Sequence, residues 1–301
     1  ITLLVLIIGI SSTYAANITD DTNSNTQTTT DTISIDVASD TNIQANSDEN
    51  KQIKTENSKE TKKAKTHIIT NQTVGNYFLK DNEYKLADNV KEGDTLDIQG
   101  NISNLDDKNF SMVINRPVNV ISSTNDAYID LNTTAGSLMG EDAGAVFGIV
   151  TGADGTNVTG IYLHNTQLWI SAVSHVTLDN ISAIVEEQRV GSGLGQTSIR
   201  NNATYITLKN SHISTTNNGG SSSVVLAWAD HCTIENNTIE GIGNVGNIFY
   251  LTTYNLNNEP PEGVIPNSNN IIRNNRITGP ATAATICYGM CLTGHNNTVD
   301  N

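Results

Sequence analysis

A short pattern returns six times between positions 161 and 301, and few folds can accommodate it. It first reads Ile161-Tyr162-Leu163-His164-Asn165-Thr166-Gln167-Leu168, then Val176-Thr177-Leu178-Asp179-Asn180 and Ile206-Thr207-Leu208-Lys209-Asn210-Ser211-His212-Ile213. It continues as Cys232-Thr233-Ile234-Glu235-Asn236-Asn237-Thr238-Ile239, Asn270-Ile271-Ile272-Arg273-Asn274-Asn275-Arg276-Ile277 and Asn297-Thr298-Val299-Asp300-Asn301. A mostly apolar residue is followed two places on by an aliphatic, two further by asparagine, and usually three further by another aliphatic. The second copy departs, with Ala183 at the last position and Ile184 just beyond it. Residues two apart on a strand share a face, so the first two positions enter one core. Asparagine tolerates left-handed backbone at a sharp corner, and the last aliphatic re-enters the core from the next strand. Such units cannot bury a core alone, but stacked coils can. The spacing therefore predicts an all-β solenoid of parallel strands with a structural ladder of Asn165, Asn180, Asn210, Asn236, Asn274 and Asn301 along one edge. The asparagines are separated by 15, 30, 26, 38 and 27 residues, which fits coils with unequal loops. The 15 is short for a full coil and is what pairing two faces of one coil would give.

Upstream of the repeat, Leu96-Asp97-Ile98-Gln99-Gly100, Met112-Val113-Ile114-Asn115, Val118-Asn119-Val120-Ile121 and Tyr128-Ile129-Asp130-Leu131 alternate as short strands. Residues 16–70 read differently. Positions 17–70 contain no Phe, Trp or Tyr and are mostly Thr, Asn, Ser, Asp, Gln and Lys, too polar to offset chain entropy by burial. They read as a disordered linker, so the solenoid is expected over residues 71–301. Residues 1–15 open with an uncharged apolar run of about ten and end in small residues, Thr13 and Ala15, which suits the core and cleavage site of a signal peptide. The run is too short for a membrane-spanning helix, which needs ~20 apolar residues. Export to the cell surface is the expectation, with no membrane-spanning segment in the mature part. The net charge of −15 argues against nucleic acid as a partner. Three cysteines, Cys232, Cys287 and Cys291, are too few and too uneven for a disulfide framework, and no His or Cys cluster completes a metal site around them.

The repeat resembles the right-handed parallel β-helix superfamily that includes pectate lyases. The whole layout, from the opening segment through the linker and Val90-Lys91-Glu92-Gly93-Asp94-Thr95 to the coils, resembles the adhesin-like surface proteins of methanogenic archaea. The resemblance implies a right-handed helix, a place on the cell surface, and a structural stalk or a binder of extracellular polysaccharide or surface protein. It implies no cofactor. Trp228-Ala229-Asp230-His231-Cys232 is similar to a stretch of the pectate lyases and raises an alternative, a polysaccharide lyase or hydrolase on the same coils. That alternative implies Ca²⁺ held by several carboxylates and a proton-abstracting arginine. Asp230 and His231 are its only catalytic candidates, and both also suit the cap of a turn. Glu186 and Glu187, needed if two carboxylates are to face one sugar, read as a solvated loop. Gly191-Ser192-Gly193-Leu194-Gly195 lacks the lysine and helix of a phosphate cradle and reads as a loop between coils.

A binding face is the stronger expectation. Trp169, Trp228, Phe249, Tyr250, Tyr254 and Tyr288 lie in or beside the segments between asparagine corners, where rings suit sugar or peptide contacts. Glycosylation sequons include Asn180 and Asn236, which a place on the ladder would bury.

Overall fold

Strands of three residues with Thr, Val or Ile around an inward aliphatic build the described part of the chain. β-branched side chains suit an extended, half-buried backbone. The computed structural model describes residues 63–132, 145–189, 196–217, 222–243, 247–252, 267–279 and 288–300. The opening apolar run, the linker up to residue 62, the segment 191–195, Tyr254, Cys287 and Asn301 lie outside the described residues.

Seven successive coils, from the strand Thr95–Ile98 to the strand Tyr288–Leu292, each contribute a strand to each of three sheets, giving a right-handed parallel β-helix. The first sheet stacks Thr66–Ile69, Thr95–Ile98, Asn119–Ile121, Asn157–Thr159, Thr177–Asp179, Thr207–Lys209, Thr233–Glu235, Ile271–Arg273 and Thr298–Asp300. The second stacks Asn101–Ile102, Tyr128–Asp130, Tyr162–His164, Ser182–Arg189, His212–Asn217, Thr238–Gly243 and Arg276–Thr278. The third runs from Phe78–Leu79 and Lys85–Leu86 through Met112–Ile114, Val146–Ile149, Gln167–Ser171, Thr197–Thr204, Val224–Asp230 and Asn247–Thr252 to Tyr288–Leu292. The Phe78–Leu79 and Lys85–Leu86 pair is antiparallel. The first strand of the solenoid, Thr66–Ile69, pairs with Thr95–Ile98 and falls inside the segment read from sequence as linker. Its short apolar stretch was hidden by the lysines before it.

Register makes columns. On the first sheet Leu96, Val120, Val158, Leu178, Leu208, Ile234 and Ile272 lie one above another, each fully buried or nearly so. On the second sheet Ile129, Leu163, Ala183, Ile213 and Ile239 do the same, all fully buried. Ala183 is therefore the inward residue of its copy, and Ile184 turns outward. Thr177 lies over Asn157, Thr207 over Thr177, Thr233 over Thr207, Ile271 over Thr233 and Thr298 over Ile271, so coils advance by 20, 30, 26, 38 and 27 residues.

The 20 corrects the 15. The copy in register with the others is Thr156, Val158, Gly160 and Leu163, in which Gly160 (φ +69) occupies the corner that asparagine fills elsewhere. Asn180, Asn210, Asn236 and Asn274 take that corner with φ between 52° and 57°. Each donates its backbone N–H to the residue before the next corner, Lys209, Glu235, Arg273 and Asp300 respectively. Asn165 stands at a different corner, between second and third sheets, because it ends a second-sheet strand. There it is 4 % exposed and accepts the Glu186 N–H at 3.1 Å.

The corner asparagines are also exposed, including the sequon residues Asn180 and Asn236, contrary to the expected burial. A left-handed residue at a convex corner points its side chain outward. The buried polar ladder runs one residue later, through Ser211, Asn237 and Asn275. Ser211 N–H donates to Asn237 Oδ1 (2.9 Å), and Asn237 N–H and Nδ2 both donate to Asn275 Oδ1 (3.0 Å). Asn237 Nδ2 also reaches the Leu208 carbonyl and Asn275 Nδ2 the Ile234 carbonyl. Backbone groups at a bend leave the sheet ladder, and a buried amide supplies both the acceptor and the donor they lose. Asn270 and Asn297 repeat the device between third and first sheets, Cys232 N–H donating to Asn270 Oδ1 and Asn270 N–H to Asn297 Oδ1.

Candidate functional site

Alternation leaves two residues of each three-residue strand facing outward, and stacking sets them in rows. On the second sheet one row contains Tyr128, Tyr162, Ser182, His212, Thr238 and Arg276. Its neighbour contains Asp130, His164, Ile184, Ser214, Glu240 and Thr278. The first coils of these rows form a compact group. Tyr128 and Tyr162 meet edge to face with ring centroids 5.2 Å apart, and Tyr128 stacks on His164 at 5.4 Å. His164 Nδ1 lies 2.8 Å from Asp130 Oδ2, and Nε2 lies 3.3 Å from Glu186 Oε2.

Burial raises the pKa of both tyrosines, Tyr128 to about 12, so both hydroxyls remain donors at neutral pH. For His164 burial acts to lower the pKa, but the carboxylates of Asp130 and Glu186 outweigh it and the net shift is upward. A raised folded pKa contributes stability that is fully present below the unfolded value of about 6.5 and is lost as pH rises through the folded value. His164→Gln is therefore expected to lower the urea midpoint most near pH ~5.5 and least near pH ~8.5. A deficit that grows with pH would contradict the assignment.

Beside this group a cleft of about 200 Å³ is lined by Asn104, Asp107, Lys108, Asp130, Asn132 and Asn165, among others. Asp107 is held by Lys80 Nζ at 2.7 Å, the Tyr84 hydroxyl at 2.7 Å and the Asn109 N–H, which together draw its carboxyl down to about 2. Amides, carboxylates and a lysine thus converge next to Tyr128 stacked on His164, with Tyr162 edge-on to both. Glu186 belongs to the strand Ser182–Arg189 of this face, not to the solvated loop expected from sequence. Tyr128, Tyr162 and His164 were missed as candidates. They occupy the outward positions of strands whose alternation was legible, and only their meeting across coils was not.

The residues singled out beforehand divide between other places. Trp169 faces outward on the third sheet yet is 8 % exposed, with the Arg200 guanidinium carbon 5.3 Å from its ring centroid. Trp228 sits in left-handed backbone (φ 56) where the strand register shifts. Phe249 is removed from the binding set, since it is fully buried and stacks inward with Val224 and Met290. The alternation reverses from Phe249 to Tyr250, which is outward and half-buried. Tyr288 lies in the last third-sheet strand.

Asp230 and His231 form part of the corner between third and first sheets. Burial acts to raise the Asp230 pKa but is overcome by hydrogen bonds from His231, Ser268 and Asn269, which hold it low. His231 stacks on Tyr205, and Tyr205 on His175, at 4.9 and 4.8 Å. All three occupy left-handed positions immediately before their repeats, a regularity that alignment of the preceding residue exposes. Cys232 points into the core, where burial pushes its thiol up to about 12. Cys232 and Cys291 are both free.

A lyase site would gather carboxylates around an arginine. Arg116 donates to the carbonyls of Leu86 and Val90, Arg273 pairs with Glu235 on the first sheet, and Arg276 lies 3.9 Å from Glu240. None joins Asp130 and Glu186, which stand at opposite edges of the His164 ring. Among the described residues no group of three or more His, Cys, Asp or Glu side chains is placed to hold a metal ion. Comparison with family models and with curated proteins finds no match to this chain.

Proposed function

We propose that this chain is an exported, adhesin-like surface protein whose β-helix binds extracellular glycan on the outer face of its second sheet. The observation that carries the reading is the gathering of Tyr128, Tyr162 and His164 around Asp130, which also lines the neighbouring cleft. A sugar ring has apolar C–H faces that lie on aromatic rings and hydroxyls that pair with carboxylates and amides, and this site presents both sets side by side. Its support is mounted on stacked strands, so the groups are held without first having to be ordered. Export is supported by the uncharged apolar run and small residues of positions 1–15. Among the described residues no helix is long and apolar enough to cross a membrane.

The test is binding of the protein to an immobilised panel of neutral oligosaccharides, followed by titration of the best. Tyr162→Ala is expected to weaken that binding about tenfold or more, in keeping with ~1–2 kcal/mol for a lost ring contact, while the thermal midpoint stays near wild type. Full affinity in a Tyr128→Ala, Tyr162→Ala double variant would overturn the site. Release of new reducing ends or unsaturated uronides on incubation would reassign it to catalysis.

A further inference from the structure

The corner between first and second sheets carries a feature that the binding face does not use. Asn180-Ile181-Ser182 and Asn236-Asn237-Thr238 are both glycosylation sequons, and each begins on an exposed, left-handed corner asparagine (φ 54 and 57). Alternation then sends the middle residue inward, Ile181 and Asn237 each being 2 % exposed. The third residue returns to the surface, since Ser182 and Thr238 belong to the outward row of Tyr162 and His212. Amide and hydroxyl thus stand on the same side of a convex bend.

A transferase that modifies a sequon must reach both groups, the amide because it reacts and the hydroxyl because the motif is read through it. Among the described residues the side chains of Asn180 and Asn236 make no hydrogen bond. The Asn180 amide also lies over Gly160, where even a Cβ would stand 3.9 Å from it. A corner amide can be tied down instead, as Asn210, which has no sequon, donates Nδ2 to Asp179 Oδ1 at 2.8 Å. Three other sequons fail one requirement. Asn109 is exposed, but its Ser111 is 5 % exposed and accepts the Val146 N–H on Oγ at 3.1 Å. Asn157 donates its amide to Asn119 Oδ1 and to the Gly155 carbonyl, both at 3.3 Å. Asn71 is half-buried, and its Oδ1 accepts the Ser103 N–H at 3.0 Å.

We propose that Asn180 and Asn236 are modification sites, acceptors of an N-linked glycan that the folded solenoid takes from a lipid-linked sugar donor. In the transfer, Asn Nδ2 bonds to the anomeric carbon of the donor sugar and the bond from that carbon to the lipid phosphate oxygen breaks. The lipid phosphate leaves, and the amide gives one proton to a base of the transferase. Modification in the cell rests on the reading of the chain as exported, whereas the fitness of the two corners as acceptors rests on their geometry.

The full folded chain is incubated with a purified oligosaccharyltransferase and a lipid-linked oligosaccharide, and the mass of each sequon peptide is then measured. Occupancy is expected at Asn180 and Asn236, with at most about a tenth of it at Asn109, because Ser111 must first leave the Val146 N–H. Ser182→Ala and Thr238→Ala should each abolish the sugar at their own site alone and leave the thermal midpoint near wild type. Bare Asn180 and Asn236 under conditions that modify a synthetic peptide of residues 178–184 would overturn the proposal. So would occupancy at Asn109 equal to theirs, since the folded geometry would then decide nothing. Peptide mapping of the chain as its own cells make it separates these failures from a failure of export. A chain lacking residues 1–15 with both asparagines bare counts against the sites. A chain that retains residues 1–15 and carries no sugar counts against export, and transfer to the purified chain then decides the sites.

Discussion

Asn237→Leu is expected to destabilise the protein by about 2–4 kcal/mol, whereas Asn236→Gly changes stability by less than about 1 kcal/mol. The two residues are adjacent, and composition gives no reason to distinguish them. Asn237 is 2 % exposed; its side chain accepts the Ser211 N–H and donates to the Leu208 carbonyl and to Asn275 Oδ1. Leucine of similar size strands those groups away from water, each at ~1–3 kcal/mol. Asn236 is exposed and left-handed (φ 57), a conformation glycine enters freely, so the relief of backbone strain offsets glycine's greater entropy in the unfolded chain. Urea midpoints of the two variants measure the difference. Equal losses, or a larger loss at Asn236, would move the ladder back to the corner residue.

The second large effect lies in the core. Leu208→Ala is expected to lose ~2–5 kcal/mol, because Leu208 is fully buried between Leu178 below and Ile234 above and the neighbouring coils can close only part of the cavity. Val299→Ala, in the same column but 44 % exposed, should lose less than about 1 kcal/mol. In a solenoid each coil touches only its neighbours, so the cost of a missing side chain follows how many coils enclose it rather than the residue type alone. Thermal midpoints of the pair check this, and similar losses at both sites would contradict the column.

Much of the architecture was legible because it is local. Alternation in Thr207-Leu208-Lys209 or Thr233-Ile234-Glu235 fixes which side chain enters the core, whatever lies above it. Asparagine after such a strand marks a left-handed corner for steric reasons contained in one residue. The errors share one origin. Asn165 follows a strand of the same texture as the others, and nothing in its neighbours says that the strand belongs to the second sheet. Gly160, the true corner of that coil, carries no amide to align. Phe249 and Tyr250 are adjacent rings, one inward and one outward, and composition could not assign them.

The amino-acid sequence by itself determined the class of fold, the inward columns and the left-handed corners, since each depends on residues within one strand and its turn. Only the tertiary structure decided which outward side chains become neighbours. His164 meets Asp130 from 34 residues away and Glu186 from 22, and Arg200 comes to rest over Trp169. Those meetings depend on the lengths of the segments between coils, which set the register of one coil on the next and leave no trace in the periodicity of either.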